Sequence, residues 1–162
     1  MIMIFTKSLD IEDIKKDLDK DNDVIAIIGC ETCVRVSGSG GDEKMKELAL
    51  KLRSDGYNVK EGFMIPTACT PKIFLAKPGR SVNTILSLAC SAGTSNLERE
   101  LSQYKVVRTT EDIGLMIHDT VTEAIKITMP YDSHKDEKGN EYEAHTGKAL
   151  KRGMTEKVEV GA

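Results

Sequence analysis

The chain has 162 residues, a length at which one domain with a single hydrophobic core is the usual arrangement. Its 40% hydrophobic and 30% charged residues and its net charge of -3 argue against a nucleic-acid binder that relies on bulk positive charge. The apolar run at residues 1–5 is shorter than the apolar region of a signal peptide, about 7–15 residues, or a membrane span of about 20. We therefore expect a cytoplasmic protein without a membrane segment, whose four cysteines are reduced and serve as metal ligands, redox groups or core side chains.

Strands and helices alternate along the first part of the chain. Residues 3–5 predict an edge strand, and the charged segment after them carries a short amphipathic helix on the spacing of Ile11, Ile14 and Leu18. A continuous apolar run at residues 24–28 is typical of a strand covered on both faces in a parallel sheet. Apolar residues at helical spacing then predict a helix over about 42–55.

The same alternation continues through the middle of the chain. It predicts strands over 58–65, 84–89 and 105–108 and helices over about 70–76 and 96–103. Apolar residues then recur every four positions, which predicts an amphipathic helix packed on the sheet. These residues are Ile113, Ile117, Val121 and Ile125. Large aliphatic residues are few beyond Tyr131, so we expect residues 130–162 to be a polar tail, flexible or bound to a partner.

Residues 1–129 are accordingly expected to form a single α/β domain. Its predicted fold is an open, mostly parallel sheet with helices on both faces, as in three-layer Rossmann or flavodoxin-like proteins. In such sheets, ligands bind beyond the carboxyl ends of the strands.

All four cysteines follow predicted strands. Cys30 and Cys33 come after the first strand of the parallel sheet, Cys69 after the second and Cys90 after the third. If these strands are parallel neighbours, the four thiols meet at one edge of the sheet, where they form a set suited to an iron–sulfur cluster or to zinc.

The loop at residues 37–41 adds a candidate binding element beside the cysteines. Gly40 and Gly41 are expected to direct backbone N–H groups toward the sulfur atoms of a cluster. The glycines lie before a helix but lack the Lys-Ser/Thr of a phosphate-binding loop, so a simple connector is the alternative.

Other interpretations of the cysteines remain open. A cysteine that closes an apolar strand is often only a small buried side chain. The spacing of Cys30 and Cys33 also allows a thioredoxin-like dithiol, although residues 34–38 are β-branched and glycine-bearing and make a poor helix start. Structural zinc usually takes two close pairs of ligands, whereas Cys69 and Cys90 stand on separate strands.

The histidines and carboxylates give weaker signals. His118 is expected to be a packing residue on the helix over 113–125. His134 and His145, with Asp132 and Glu143, offer metal ligands in the polar tail, where simple solvation is the commoner explanation. The chain has no convincing Ser–His–Asp arrangement and no paired carboxylates in an apolar setting, which argues against an independent hydrolase.

Several segments, over roughly residues 8–115, resemble the small iron–sulfur subunit of the acetogen-type methylenetetrahydrofolate reductases. They are residues 28–34, 40–44, 56–57, 66–69 and 86–93, which include all four cysteines. The resemblance implies a four-iron four-sulfur cluster, a flavin-containing TIM-barrel reductase subunit or another electron-transfer subunit as partner, and a role in anaerobic one-carbon metabolism. Family members usually carry a further cysteine where this chain has Ser37, and longer members end in a cysteine-rich segment that has no counterpart after Cys90.

The sequence therefore predicts an iron–sulfur protein that acts as an electron-transfer or accessory subunit of a larger anaerobic oxidoreductase. Its ligands are expected to be Cys30, Cys33, Cys69 and Cys90, and catalysis is expected to belong to a partner. Two alternatives stand beside this prediction: a non-redox adaptor in which the same cysteines hold zinc, and a regulator that uses the cluster as a redox sensor.

Overall fold

The computed structural model describes residues 3–71, 76–151 and 160–161, and these form two β-sheets. The helices and strands, in chain order, are β1 (Met3–Ser8), α1 (Ile11–Lys16), β2 (Val24–Cys30), α2 (Cys33–Ser37), α3 (Asp42–Ser54), β3 (Asn58–Ile65), β4 (Thr84–Leu88), α4 (Ser91–Glu100), β5 (Lys105–Arg108), β6 (Thr110–Asp119), β7 (Ala124–Pro130), a 3-10 helix (Asp132–Glu137), β8 (Glu141–Glu143) and β9 (Ala149–Lys151).

The first sheet has four parallel strands in the order β3-β2-β4-β5. Its central strands, β2 and β4, are covered on both faces. On one face Ile28 and Ile85 pack with Leu97 of α4, and on the other Ile27 and Leu86 pack with α1 and α3. The continuous apolar runs predicted this arrangement, because a strand buried on both faces has no need of alternating polar residues.

Most predicted elements of this sheet are confirmed. β3, β4, β5 and α3 lie where the sequence places them. Helix α4 begins earlier than predicted, since Cys90 is its N-cap and Ser91 its first residue. The predicted short helix over about 70–76 falls largely on residues 72–75, outside the described residues.

The predicted three-layer fold with one mostly parallel sheet is wrong, because β1 and the strands from β6 to β9 form a separate antiparallel sheet. Its five strands lie in the order β1-β6-β7-β8-β9. The predicted helix over 113–125 is the hairpin of β6 and β7, and His118 consequently lies on a strand.

The spacing of the apolar residues in this hairpin explains why it resembles a helix in sequence. Ile113 and Ile125 are buried, whereas Ile117 is 56% exposed and Val121, in the turn, is 91% exposed. A repeat of four residues is a multiple of the two-residue period of a strand as well as close to the period of a helix. The spacing alone therefore does not distinguish the two structures.

The polar segment after residue 130 joins the antiparallel sheet through residue 151. Its strand β8 pairs with β7, and the Tyr142 ring stacks on Phe5 of β1 with the ring centroids 4.5 Å apart. Tyr142 and Ala144 are buried in the core of this sheet. Residues 152–159 and 162 lie outside the described residues.

Helix α2 connects the two sheets. The Thr6 N–H of β1 donates to Ser37 Oγ at 3.1 Å, and the His145 N–H, in the β8–β9 loop, donates to the Val36 carbonyl at 2.7 Å. Because α2 begins at Cys33, these contacts also set the position of one predicted ligand.

Candidate metal centre at the cysteine edge

The four cysteines lie at the carboxyl edge of the parallel sheet. Cys30 ends β2, Cys69 follows β3, and Cys90 follows β4. Since β3, β2 and β4 are adjacent and parallel, their carboxyl ends meet at the same edge. Cys33 opens α2 just beyond β2, and all four cysteines are free thiols.

The pKa values of Cys33 and Cys90 reflect both burial and the neighbouring cysteines. Burial raises the pKa of the Cys33 thiol most, and the nearby charges of Cys30 and Cys69 raise it further. Burial likewise raises the pKa of Cys90 to about 11, and Cys33 contributes to that increase. The structure thus brings each of the other three cysteines close enough to Cys33 for their charges to interact.

The cysteines differ in their access to solvent. Cys30 and Cys90 are buried, Cys33 is partly buried, and Cys69 is exposed. One side of the group is therefore enclosed by the protein, and the side formed by Cys69 opens to the surface.

Backbone amides surround the buried sulfur atoms. The Ala68 N–H donates to Cys30 Sγ at 3.4 Å, and Thr32 Oγ1 lies 3.0 Å from the same sulfur. The backbone amides of Gly93 and Ala92, in the first turn of α4, lower the pKa of Cys90, whereas burial raises it, and these amides therefore favour the thiolate. These groups stabilise negative charge on sulfur.

Two further residues reach this edge from the antiparallel sheet. Asp112 of β6 accepts a hydrogen bond from the Ser91 N–H at 3.0 Å. Burial, and then the charges of Asp112, Cys90 and Cys33, raise the pKa of Tyr131. Sequence reasoning missed both residues because it assigned this part of the chain to a helix and a tail.

Ser37 is not directed at the cysteine group. It is buried, accepts the Thr6 N–H, and donates its hydroxyl to the Cys33 carbonyl at 2.8 Å. Ser37 thus holds α2 against β1.

The predicted glycines also have other roles. The Gly40 N–H donates to the Val34 carbonyl at 2.9 Å, and a Cβ at Gly40 would lie 2.5 Å from Val34 Cγ2. Gly41 caps α3 with a φ of 95° and lines a surface cleft whose walls include Arg35 and Lys44. The described contacts therefore use these glycines for close packing and for a turn.

The expectation that the residues after Cys33 make a poor helix start is wrong. Residues 33–37 do form a short helix, with Cys33 in its first turn. Burial raises the pKa of the Cys33 thiol, as is also expected of the second, enclosed cysteine of such a dithiol, so the thioredoxin-like alternative stays a prediction.

The donor set can be tested against the two candidate metal groups. Four thiols without a competing disulfide are suitable ligands for either. A zinc ion, with zinc–sulfur distances of about 2.3 Å, would draw its ligands within about 4 Å of one another. Among the described residues, which include all four cysteines, no three sulfur atoms lie within 4.8 Å of one another. A cluster of four irons accepts a wider spacing, because each cysteine binds a different iron.

Comparisons of the chain with protein-family models, curated proteins and solved structures find no match. Within the described part of the chain, no helix has the length and apolar character needed to cross a membrane. The support for a site at the cysteine edge, the carboxyl edge of the parallel sheet, is therefore its residues and their geometry.

Proposed function

We propose that this protein binds one four-iron four-sulfur cluster through Cys30, Cys33, Cys69 and Cys90 and transfers electrons as a subunit of a larger oxidoreductase. The observation that carries the proposal is the placement of all four cysteines at the carboxyl edge of the parallel sheet, where the neighbouring strands β3, β2 and β4 end. Residues separated widely in sequence converge there, as the ligands of a shared inorganic group must. Cys69 and Cys90 follow separate strands and do not form the second close pair that structural zinc usually takes, which favours the cluster over zinc.

When bound, such a cluster accepts and releases one electron at a time. The chain contributes the environment that controls this exchange. Amides near Cys30 and Cys90 favour negative charge and so favour the reduced state, while the carboxylate of Asp112 opposes it. Exposed Cys69 provides the side from which a partner approaches most closely.

The partner we propose is a flavin-containing TIM-barrel reductase subunit or another electron-transfer subunit, in anaerobic one-carbon metabolism in the cytoplasm. The support is the resemblance of residues 8–115 and the lack of an independent catalytic arrangement in the sequence. In this assembly the protein carries electrons, and the partner performs the reaction on the substrate.

The decisive experiment is purification of the full chain under anoxia, reconstitution with iron and sulfide, and analysis of iron, sulfide and zinc. We expect a brown protein with about four irons and four sulfides per chain. Cys69→Ser is the most informative variant because Cys69 is exposed and its replacement spares the core. It should lose the cluster or leave it incomplete while the fold is retained by circular dichroism.

The matched control is Thr70→Ala, an exposed neighbour whose hydroxyl donates to the Thr67 carbonyl at 3.2 Å. This variant should keep the full iron and sulfide content. Stoichiometric zinc without sulfide would instead establish the adaptor, and a metal-free protein with intact fold would refute both. Co-purification of a flavin-bearing subunit under anoxia tests the partner separately.

A further inference from the structure

Two histidines and one glutamate meet on the antiparallel sheet, apart from the cysteine edge. His118 Nε2 lies 3.2 Å from Glu123 Oε2, and His145 Nε2 lies 3.4 Å from the same oxygen. One ligand atom from each of the three residues lies within 4.8 Å of the other two. His118 is largely enclosed, with 14% of its side chain exposed, whereas the other two are about half exposed.

Different parts of the sheet supply these three side chains. His118 is near the end of β6, Glu123 is in the β6–β7 turn, and His145 is in the β8–β9 loop. The Ala144 N–H donates to the Glu123 carbonyl at 2.8 Å and so fixes the loop beside the turn. The His145 N–H is held in turn by the Val36 carbonyl of α2.

The backbone at two of these residues adopts a conformation that side chains disfavour. Glu123 has a φ of 55° and His145 a φ of 69°, and they are the non-glycine residues with positive φ among those the structure describes. Such a backbone conformation costs free energy. Residues that adopt it cluster at functional sites, where the surrounding structure holds them in place. Here both instances belong to the same three-residue group.

We propose that His118, Glu123 and His145 bind one divalent transition-metal ion of the zinc type. Two imidazole nitrogens and one carboxylate are a common three-ligand set for such ions, and they leave a coordination position open for water or another ligand. With metal–nitrogen distances of about 2.0–2.1 Å, ligand atoms must approach to roughly 3–3.5 Å, close to the present separations. The site is independent of the cysteine edge.

The chain also provides an internal comparison. His134 lies 3.0 Å from Glu111, but this pair is not part of any such three-ligand group among the described residues. It is therefore a histidine–carboxylate pair of the same chemistry without the third ligand. A metal ion that requires all three ligands will distinguish it from the proposed site.

The test is equilibrium dialysis of the full chain against zinc, comparing wild type with His145→Asn. Asparagine is chosen because it tolerates positive φ better than most residues, which limits misfolding. We expect the variant to bind one zinc ion fewer per chain, or to bind that ion at least tenfold more weakly. His134→Asn should bind as much zinc as wild type.

A cobalt titration separates this ion from any metal at the cysteines. The wild-type minus His145→Asn difference spectrum should contain ligand-field bands of Co²⁺ without the sulfur-to-cobalt charge-transfer absorption that thiolate ligands produce. Equal zinc content in wild type and His145→Asn at every free zinc concentration would overturn the proposal. So would equal losses in His145→Asn and His134→Asn, or a difference spectrum dominated by charge transfer.

Discussion

The parallel sheet packs β2 and β4 between two apolar cores, whereas the antiparallel sheet combines one apolar core with a buried polar network. In that network Glu137 accepts hydrogen bonds from Lys7 at 2.7 Å, from Asn140 at 2.8 Å and from the Tyr142 hydroxyl. Apolar contacts do not depend on protonation, but an ionised carboxylate does. The comparison therefore predicts that the sheets respond differently to cavities and to acid.

The largest effect is expected from a cavity in the parallel sheet. Leu86→Ala removes most of a side chain that is 0% exposed at the centre of β4. The free energy of unfolding should fall by about 2–5 kcal/mol, measured by urea denaturation. Leu50→Ala is the control, because Leu50 is 65% exposed on α3 and its truncation should cost no more than about 0.5 kcal/mol. Similar losses in the two variants would contradict the placement of this core.

The contact between α2 and the β8–β9 loop, which joins the two sheets, is expected to be nearly as sensitive to substitution. Gly38 has a φ of 78°, and a Cβ there would collide with the backbone of Thr146 in the β8–β9 loop. Gly38→Ala should therefore cost about 1–2 kcal/mol for the backbone conformation and about 1–3 kcal/mol more for the collision. Hydrogen exchange should also accelerate at the His145 amide, which is bonded to Val36.

Gly41→Ala isolates the first of these costs, that of the backbone conformation. Gly41 has a φ of 95°, but a Cβ there meets only Arg35 Cγ, at 3.5 Å. This control should show the backbone cost without loosening the β8–β9 loop. If both variants destabilise the protein equally and leave the His145 amide protected, the contact between α2 and the β8–β9 loop does not stabilise the connection between the sheets.

Acid should act mainly through Glu137. Burial opposes its ionisation, but hydrogen bonds from Lys7, Tyr142 and Asn140 outweigh burial and lower the pKa of the carboxyl from 4.5 to about 2. The ionised carboxylate therefore stabilises the folded state above about pH 4.5, and this stabilisation is lost as the pH falls toward 2. Glu137→Gln should cost about 1–3 kcal/mol at pH 7, because it removes the charge from buried hydrogen bonds.

Urea denaturation from pH 7 to pH 2 checks this expectation. The difference between wild type and Glu137→Gln should shrink below pH 4.5 and nearly vanish at pH 2. Asp13→Asn breaks the exposed pair with Lys16 and should have the same free energy of unfolding as wild type at every pH. A constant difference between wild type and Glu137→Gln would show that the network does not depend on the charge.

The contrast between the sheets also explains how much of the fold could be predicted. The parallel sheet has long apolar runs, so its strands were placed almost to the residue. β8 has three residues, two of them glutamates, and becomes a strand only because β7 is present to pair with it. Such tertiary pairing overrides local composition and leaves little signal in the sequence.

The candidate site divides in the same way. The placement of the cysteines at one edge of the parallel sheet followed from one rule, that neighbouring parallel strands end at the same edge. Asp112 and Tyr131 reach that edge from the other sheet, and His118, Glu123 and His145 meet only through the hairpin and loop geometry of that sheet. Sequence reasoning could find neither set without the correct pairing of β6 with β1 and β7.

The smallest expected effect tests that pairing directly. Ile113 and Ile117 would share one face in a helix and also in a regular strand. The pairing of β6 with β7 shifts its register between Leu115 and Met116, and Ile113 is 2% exposed whereas Ile117 is 56% exposed. Ile117→Thr should therefore change the free energy of unfolding by no more than about 0.5 kcal/mol, since threonine is also β-branched and the site is at the surface. Ile113→Thr, the same change at the buried position, should cost at least about 2 kcal/mol. Equal costs would contradict this register shift, because without it the two side chains would lie on the same face of β6.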